Sequence, residues 1–256
     1  MRRKDTFNEV AQEYDKFRPR YPEELFKDII NYSKLSKNDQ LLEIGCGTGI
    51  ATQGFVDFNY KNITCVELGE RLAELTSNKY KNEETIKIHN SGFEEWKSNQ
   101  LYDLVFSATA FHFIDPKIGY QKVYNLLNTN GTIALFWTVH VAQYDDLHKE
   151  IRKIYKKYAP HLDDCNMPTP KEVIDEKLYT ITNTGFYNDI QVKEYKRVFK
   201  YTGKEYVSLL NTHSKHRQLS EKTREKIFHS IEDLITLYGG HIEKTQLYAL
   251  YLGRKL

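Results

Sequence analysis

Short apolar runs alternate with amphipathic stretches over roughly the first half of the chain, and this alternation constrains the fold most. Five runs are rich in Ile, Val, Leu and Phe and too continuous to be half-exposed strands: QLLEI, NITCVEL, ETIKIH, YDLVFSA and GTIALFW. Helical patterns lie between them, such as GERLAELTSNKY and PKIGYQKVYNLLN; the latter begins at Pro116 and closes near NTNG. The rhythm predicts an α/β fold with a doubly wound, mostly parallel sheet and helices on both faces.

The rhythm changes after Trp137. Residues 141–188 carry helical patterns, which we interpret as an insertion covering the ligand crevice at the carboxyl ends of the strands. A strand, DIQVKEYKRVFKYT, and a helix, REKIFHSIEDLITLYGG, follow, and QLYALYLGR ends the chain as the seventh strand. The apolar face of that helix comprises Ile227, Ile231, Leu234, Ile235 and Tyr238, and Gly239 and Gly240 end it. We expect one domain over residues 1–256, with an arm and helix at 1–35, a core at 36–140, the insertion, and completing strands and helices at 189–256.

The stretch LLEIGCGTGIAT places three glycines on alternate positions directly after the first apolar run. Residues without side chains at a strand-to-helix turn let a ligand lie on the backbone. The dinucleotide fingerprint G-x-G-x-x-G does not match, because Ile50 stands where its third glycine would be. Glu43 would repel a pyrophosphate and attract an ammonium group, while Glu67 closes the second strand, where a carboxylate can bind both ribose hydroxyls. These acids predict a nucleoside ligand with a cationic, amino-acid-like tail.

Four stretches resemble the motifs of the class I S-adenosylmethionine (SAM)-dependent methyltransferases: LLEIGCGTG, CVELGERLAEL, LYDLVFSATAFHFIDP and VYNLLNTNGTIALFW. The match spans about residues 40 to 140 and implies a Rossmann-like methyltransferase fold, SAM as cofactor and S-adenosylhomocysteine as product. The cofactor-binding positions that it implies are Glu43, Gly45, Cys46, Gly47, Thr48, Gly49, Glu67, Leu68, Gly92, Phe93 and Ala108. In HNSGFEEW the chain lacks the acid with which many relatives hold the adenine, so we expect backbone groups and the Phe93 ring there.

The N-terminal stretch FNEVAQEYDKFRPRYPEELF and the histidine in ATAFHFIDP are similar to a small-molecule branch that includes trans-aconitate methyltransferase-like enzymes. This similarity implies a small-molecule methyl acceptor and an arm that helps cover the cofactor, with Tyr14 and Arg18 in contact with it. Aromatic residues at such a mouth would exclude water from the nucleophile. A simple packing strap is the alternative interpretation of the arm.

The acceptor pocket is predicted from residues that follow the fourth and fifth strands: Phe111, His112, Trp137 and His140. His112 lies after a parallel strand, where the crevice should be, and is the candidate general base for an alcohol or phenol. A carboxylate acceptor would need no base. Phe111 and Phe113 could equally belong to the core. We expect transfer to oxygen, with in-line alignment as the main catalytic contribution.

Other classes are less compatible with the sequence. A SAM-binding or nucleoside-binding module without catalysis is the main alternative, and a nicotinamide-dependent dehydrogenase is opposed by Glu43 and the missing glycine. A net charge of +2 and the absence of a [DNS]-P-P-[YFW] tetrapeptide argue against a nucleic-acid substrate. His213 and His216 lack an obvious third ligand, so no metal is expected. Without a leader or an apolar run of about 20 residues, we expect a cytoplasmic monomer or homodimer with reduced cysteines.

Overall fold

The computed structural model describes residues 16–163 and 167–256. Its sheet has seven strands in the order β3-β2-β1-β4-β5-β7-β6, which confirms the predicted doubly wound fold. The pairs β1 with β2, β1 with β4, β2 with β3, and β4 with β5 are parallel. The strands are β1 Leu41–Ile44, β2 Ile63–Glu67, β3 Ile86–Asn90, β4 Tyr102–Ala108, β5 Leu127–His140, β6 Tyr187–Thr202 and β7 His241–Lys255.

The helices alternate with the strands in the first half and cluster after β5. They are α1 Glu23–Ser33, α2 Ile50–Val56, α3 Glu70–Lys79, α4 Pro116–Leu126, α5 Asp146–Tyr158, α6 Pro170–Thr182, α7 Gly203–Asn211, α8 Ser214–Arg217 and α9 Glu221–Leu237, with short 3-10 turns at Phe111–Phe113 and Pro160–Leu162. Pro116 occupies the first turn of α4, as predicted, and the Asp115 side chain caps that turn by accepting from the Lys117 N–H at 2.9 Å.

The described residues form two compact units. The first unit comprises Arg20–Thr138, Val173–Tyr195 and Tyr248–Leu256. Its core lies around β1 and β4, whose apolar residues are almost fully buried. Phe55 packs between Phe26 and Phe106 with ring centroids 5.2 and 4.5 Å away, so aromatic edges join α1 and α2 to the sheet.

The second unit comprises the described residues 16–19, Val139–Glu172 and Lys196–Leu247. Ile227, Ile231 and Ile235 recur every four residues on α9 and are completely buried against α5 and α7. This spacing gives the unit its own hydrophobic core, built mainly from helices.

Three details of the predicted elements are wrong. β3 is largely exposed, because it is an edge strand that pairs with β2 alone. α4 ends at Leu126 and β5 begins at Leu127, ahead of the predicted strand start at Gly131. The pairing of β4 with β5 has a register shift between Tyr102 and Leu104. Tyr238 is 45% exposed, because α9 ends at Leu237 and the following glycines have φ of 99° and 81°.

Candidate active site

The glycine loop joins β1 to α2 in the first unit. Gly45, Gly47 and Gly49 have φ of 70°, 58° and 73°, a region that other L-residues rarely adopt. A Cβ on Gly45 would lie 2.4 Å from the Ala110 Cβ, and one on Gly49 would lie 2.9 Å from Tyr80 Cε2. A Cβ on Gly47 would meet nothing within 4 Å. Two glycines therefore allow close packing, and Gly47 presents backbone to open space.

Side chains of α3 and the residue after it hold the glycine loop in place. The Thr76 hydroxyl donates to the Gly47 carbonyl at 2.7 Å, and the Tyr80 hydroxyl donates to the Gly49 carbonyl at 3.1 Å. Since these bonds satisfy carbonyls on the α3 side, the loop conformation does not depend on a ligand. Cys46 and Thr48 are buried between the glycines.

Glu67 ends β2, and its carboxylate joins two loops. One oxygen accepts from the Gly47 N–H at 2.8 Å and the other from the Gly69 N–H at 2.7 Å. Burial raises the pKa of the carboxyl, and these N–H groups oppose that shift by stabilising the charge. Each oxygen retains acceptor capacity for a ligand hydroxyl beside the open Gly47 backbone.

Glu43 lies in β1 and is completely buried. The Thr52 hydroxyl donates to its Oε2 at 2.5 Å, whereas Oε1 has no hydrogen-bond partner among the described residues. Burial, with a smaller contribution from the nearby charge of Glu67, raises the pKa of the carboxyl to about 8, and the Thr52 hydrogen bond opposes the shift. A cation beside this carboxyl would favour its ionised form and give Oε1 a partner. The carboxyl therefore suits the ammonium group predicted from the sequence.

The turn after β3 carries the predicted adenine contacts. Leu68 is 49% exposed, Phe93 is buried, and a Cβ on Gly92 would lie 3.8 Å from Leu68 Cδ1, so Gly92 and Leu68 adjoin. Lys122 of α4 donates to the carbonyls of Phe93 at 2.6 Å and Glu94 at 3.1 Å. Sequence reasoning missed this lysine, because the bond joins segments far apart in the chain.

The turn after β4 adjoins the glycine loop through Ala110. Thr109 has φ of 56°, which is strained for a β-branched residue; its N–H donates to Phe136 O at 2.8 Å, and its hydroxyl bonds the Tyr21 hydroxyl at 3.1 Å. Backbone strain of this kind clusters at functional sites. No sequence signal identified Thr109, while Ala108 stands half-buried at the strand end as predicted.

His112 is exposed in the 3-10 turn after β4, and its Nδ1 accepts from the Trp137 indole N–H at 3.2 Å. Indole N–H groups only donate, so the neutral imidazole carries its proton on Nε2. Phe111 is buried against Tyr120, at a centroid distance of 4.9 Å, and belongs to the core, whereas Phe113 is partly exposed.

Trp137 is buried at the carboxyl-end half of β5 and is covered on one face by a lysine that sequence reasoning missed. Lys177 Nζ of α6 lies 4.3 Å from the indole centroid. Tyr251 of β7 meets the same indole edge-on at 5.5 Å, and its hydroxyl donates to the Ile174 carbonyl at 3.2 Å, which ties β7 to α6. Trp137 therefore connects His112 with Lys177.

The remaining predicted site residues lie elsewhere. Arg18 and His140 belong to the second unit, where the Arg18 guanidinium donates to the Thr212 hydroxyl at 2.9 Å and to its carbonyl at 3.2 Å. Tyr14 and Cys165 lie outside the described residues. The roles of Arg18, His140 and Tyr14 stay predictions.

His213 and His216 are structural neighbours in the second unit, with ring centroids 5.8 Å apart. His216 bonds the Tyr155 hydroxyl at 2.8 Å, and burial lowers its pKa to about 4. Within the described residues no group of three or more His, Cys, Asp or Glu side chains could hold a metal ion, and no helix could span a membrane.

The comparisons with known proteins identify methyltransferases. Residues 22–136, which include the glycine loop, Glu43, Glu67, Thr109 and His112, match the family model of ribosomal RNA adenine dimethylase. A probable S-adenosylmethionine-dependent methyltransferase of Saccharomyces cerevisiae, CRG1, is 28% identical over 73% of this chain and 67% of its own length. Malonyl-[acyl-carrier protein] O-methyltransferase 2 of Ilyobacter polytropus is 26% identical over 54% of this chain and 53% of its own.

A solved methyltransferase from Anaeromyxobacter dehalogenans, described as type II, has the same fold with a TM-score of 0.66. It is 17% identical, and the superposition covers 93% of this chain and 98% of that one. The fold is that of the class I methyltransferases, and the chain is a SAM-dependent methyltransferase.

Proposed function

We propose that the chain transfers the methyl group of SAM to an oxygen atom of a small-molecule acceptor. The observation that carries the proposal is the His112–Trp137 pair, which places an exposed imidazole on the turn that adjoins the glycine loop through Ala110. The O-methyltransferase named among the relatives supports oxygen as the acceptor atom. SAM, when bound, supplies a methyl group on a positive sulfur, which leaves as a neutral thioether while the acceptor oxygen forms the new C–O bond.

The residues of the first unit would hold the cofactor by charge and shape. Glu67 would accept from the ribose hydroxyls, the bare Gly47 backbone would lie against the ligand, and Glu43 would meet the ammonium group. Fixing both ends of the cofactor aligns the transferred group, and alignment of this kind contributes several kcal/mol in intramolecular reactions, up to about 7–11 kcal/mol. This role needs no movement of the glycine loop, since α3 already holds it.

His112 would line the acceptor site as an exposed side chain that the Trp137 indole holds in place. The Nδ1 lone pair receives the Trp137 N–H, so the neutral ring has no lone pair available for proton abstraction. A carboxylate acceptor needs no base, because it loses its negative charge when the ester forms. This arrangement favours a carboxylate over an alcohol.

The match to an RNA dimethylase model raises a nucleobase acceptor as the competing possibility. Residues 107–113, SATAFHF, lack the tetrapeptide typical of amino-group methylation of bases, and the net charge of +2 gives little attraction for a polyanion. A small acceptor, free or tethered to a carrier, agrees better with both features.

The test is a screen with methyl-labelled SAM against carboxylates, phenols, amines and a ribosomal RNA fragment. We expect label in a carboxylate product that releases volatile methanol under mild base, as methyl esters do. His112→Asn should lower kcat by less than the ~10²-fold that loss of a general base typically costs. Transfer to RNA with none to any small acceptor would contradict the proposal. A larger loss of kcat in His112→Asn would show that His112 acts as a general base.

A further inference from the structure

Lys177 is placed unusually for a lysine. It lies in the middle of α6, is half-buried, and holds its Nζ 4.3 Å from the centroid of the Trp137 indole. Among the described residues, no hydrogen bond or ion pair to its ammonium group is recorded. A surface lysine normally extends into water, so this side chain gives up solvation for an aromatic contact alone.

The charges near Lys177 do not neutralise it. Burial lowers the pKa of its ammonium group, and the charge of Glu176, the exposed neighbour on the same helix, opposes this only in part. The groups known to pack there from β5 and β7 are neutral aromatics, Trp137 and Tyr251. Asp175 and Glu194 act electrostatically on the neighbouring Tyr251, but no carboxylate among the described residues forms an ion pair with the Lys177 ammonium group.

One indole positions two side chains from different elements. Its face supports the Lys177 ammonium group from α6, and its N–H donates to His112, an exposed residue on the turn after β4. Because indole is rigid and buried, it holds both side chains without a ligand. An ammonium group beside an imidazole suits an anionic oxygen.

We propose that Lys177 binds an anionic group of the methyl acceptor, a carboxylate, and holds it beside His112. This inference rests on the proposed function and assigns the acceptor its charge. A carboxylate of the acceptor would give the Lys177 ammonium group an ion-pair partner, which the described residues do not supply. Trp137 then serves as the floor of the acceptor site, and neutral isosteres of the acceptor are rejected for want of charge.

The experiment measures acylation of Lys177 in the full chain saturated with S-adenosylhomocysteine. An N-hydroxysuccinimide ester labels the lysines, and mass spectrometry follows Lys177 and, as a control, exposed Lys87 of β3. The probes are succinate, hexanoate and phenylacetate, each beside its neutral amide. We expect at least one carboxylate to slow labelling of Lys177 several-fold, with no change at Lys87 and none from the amides.

Variants separate charge from packing. Lys177→Met keeps the aliphatic contact with Trp137 but lacks the charge, Lys177→Arg keeps the charge, and Lys87→Met is the matched control. With a carboxylate that the labelled-SAM screen identifies, Lys177→Met should raise KM at least tenfold with a smaller change in kcat. Lys177→Arg should keep KM close to the wild-type value.

Calorimetry with S-adenosylhomocysteine on the same preparation distinguishes the two levels of the account. Failure to bind it would contradict the proposed function itself. Normal binding with no carboxylate protecting Lys177, or with amides protecting it equally, would overturn the inference alone. An unchanged KM in Lys177→Met would also overturn it.

Discussion

At the scale of single residues, the acids of the cofactor site were predictable and the lysines were not. Glu43 lies within an apolar strand and Glu67 at the end of one. Because burying a carboxyl is costly, the sequence alone indicates that these acids have a function. Lys122 and Lys177 lie on helices among other polar residues, and only their contacts with the distant Phe93 and Trp137 distinguish them. Thr109 has a positive φ that no local pattern announces. Contacts between distant segments are what sequence patterns omit.

The Glu67 carboxylate gives the first prediction. Glu67→Ala should weaken SAM binding by about 2–3 kcal/mol, the scale of lost charge-assisted hydrogen bonds in a buried site. Calorimetric titration with SAM measures the change, and exposed Glu70→Ala, three residues away, is the control for charge alone. An unchanged dissociation constant in Glu67→Ala would place the ribose elsewhere.

The raised pKa of Glu43 gives the second prediction. In the folded chain the carboxyl has a pKa of about 8, against an ordinary value of 4.5, so the folded state binds the extra proton. The contribution of this protonated carboxyl to the free energy of unfolding is complete below about pH 4.5 and is lost as the pH rises toward 8. Glu43→Gln cannot ionise, so its stability relative to the wild type should increase over this range, by on the order of a few kcal/mol.

Denaturant unfolding of both proteins across this pH range, without ligand, measures that trend. The trend is the decisive quantity, because the amide may differ from the acid by a constant amount at every pH. A stability difference independent of pH would show that Glu43 titrates normally.

At the scale of elements, the strands and helices followed from the sequence, since apolar continuity and amphipathic spacing are local properties. The sequence predicts that the glycine loop contacts a ligand, but it does not distinguish the separate roles of the three glycines. Gly45 allows contact with the turn after β4, Gly49 with the end of α3, and Gly47 leaves open space. The exposure of β3 was missed because edge position depends on the strand order.

Two alanine variants separate packing from binding in this loop. Gly45→Ala should destabilise the fold, since its Cβ overlaps Ala110 and overpacking typically costs about 1–3 kcal/mol in addition to the positive φ. Gly47→Ala should cost only the conformational term, about 1–2 kcal/mol, yet should abolish SAM binding because its Cβ occupies the ligand space. Unfolding and calorimetry on both variants test this. Normal SAM affinity in folded Gly47→Ala would contradict the site.

At the scale of the whole molecule, the doubly wound sheet was predictable as a fold class, whereas its strand order and the division into two compact units were not. Four of the five unit boundaries fall within regular elements, namely β5, α6, β6 and β7, and the remaining one lies between Pro19 and Arg20, ahead of α1. A search for linkers rich in glycine, proline or serine cannot find a boundary inside a regular element. The expectation that residues 141–188 cover the active site stays a prediction.

The central claim, that the site is built for SAM rather than for a dinucleotide, is tested most directly by calorimetric titration of the full chain with SAM, S-adenosylhomocysteine and NAD. Glu43 of β1, beside the loop, has one carboxyl oxygen without a hydrogen-bond partner among the described residues, which suits a cation, and its charge would repel a pyrophosphate. We predict saturable binding of both sulfur nucleosides at one site per chain and no binding of NAD. Tight binding of NAD with none of SAM would contradict the account.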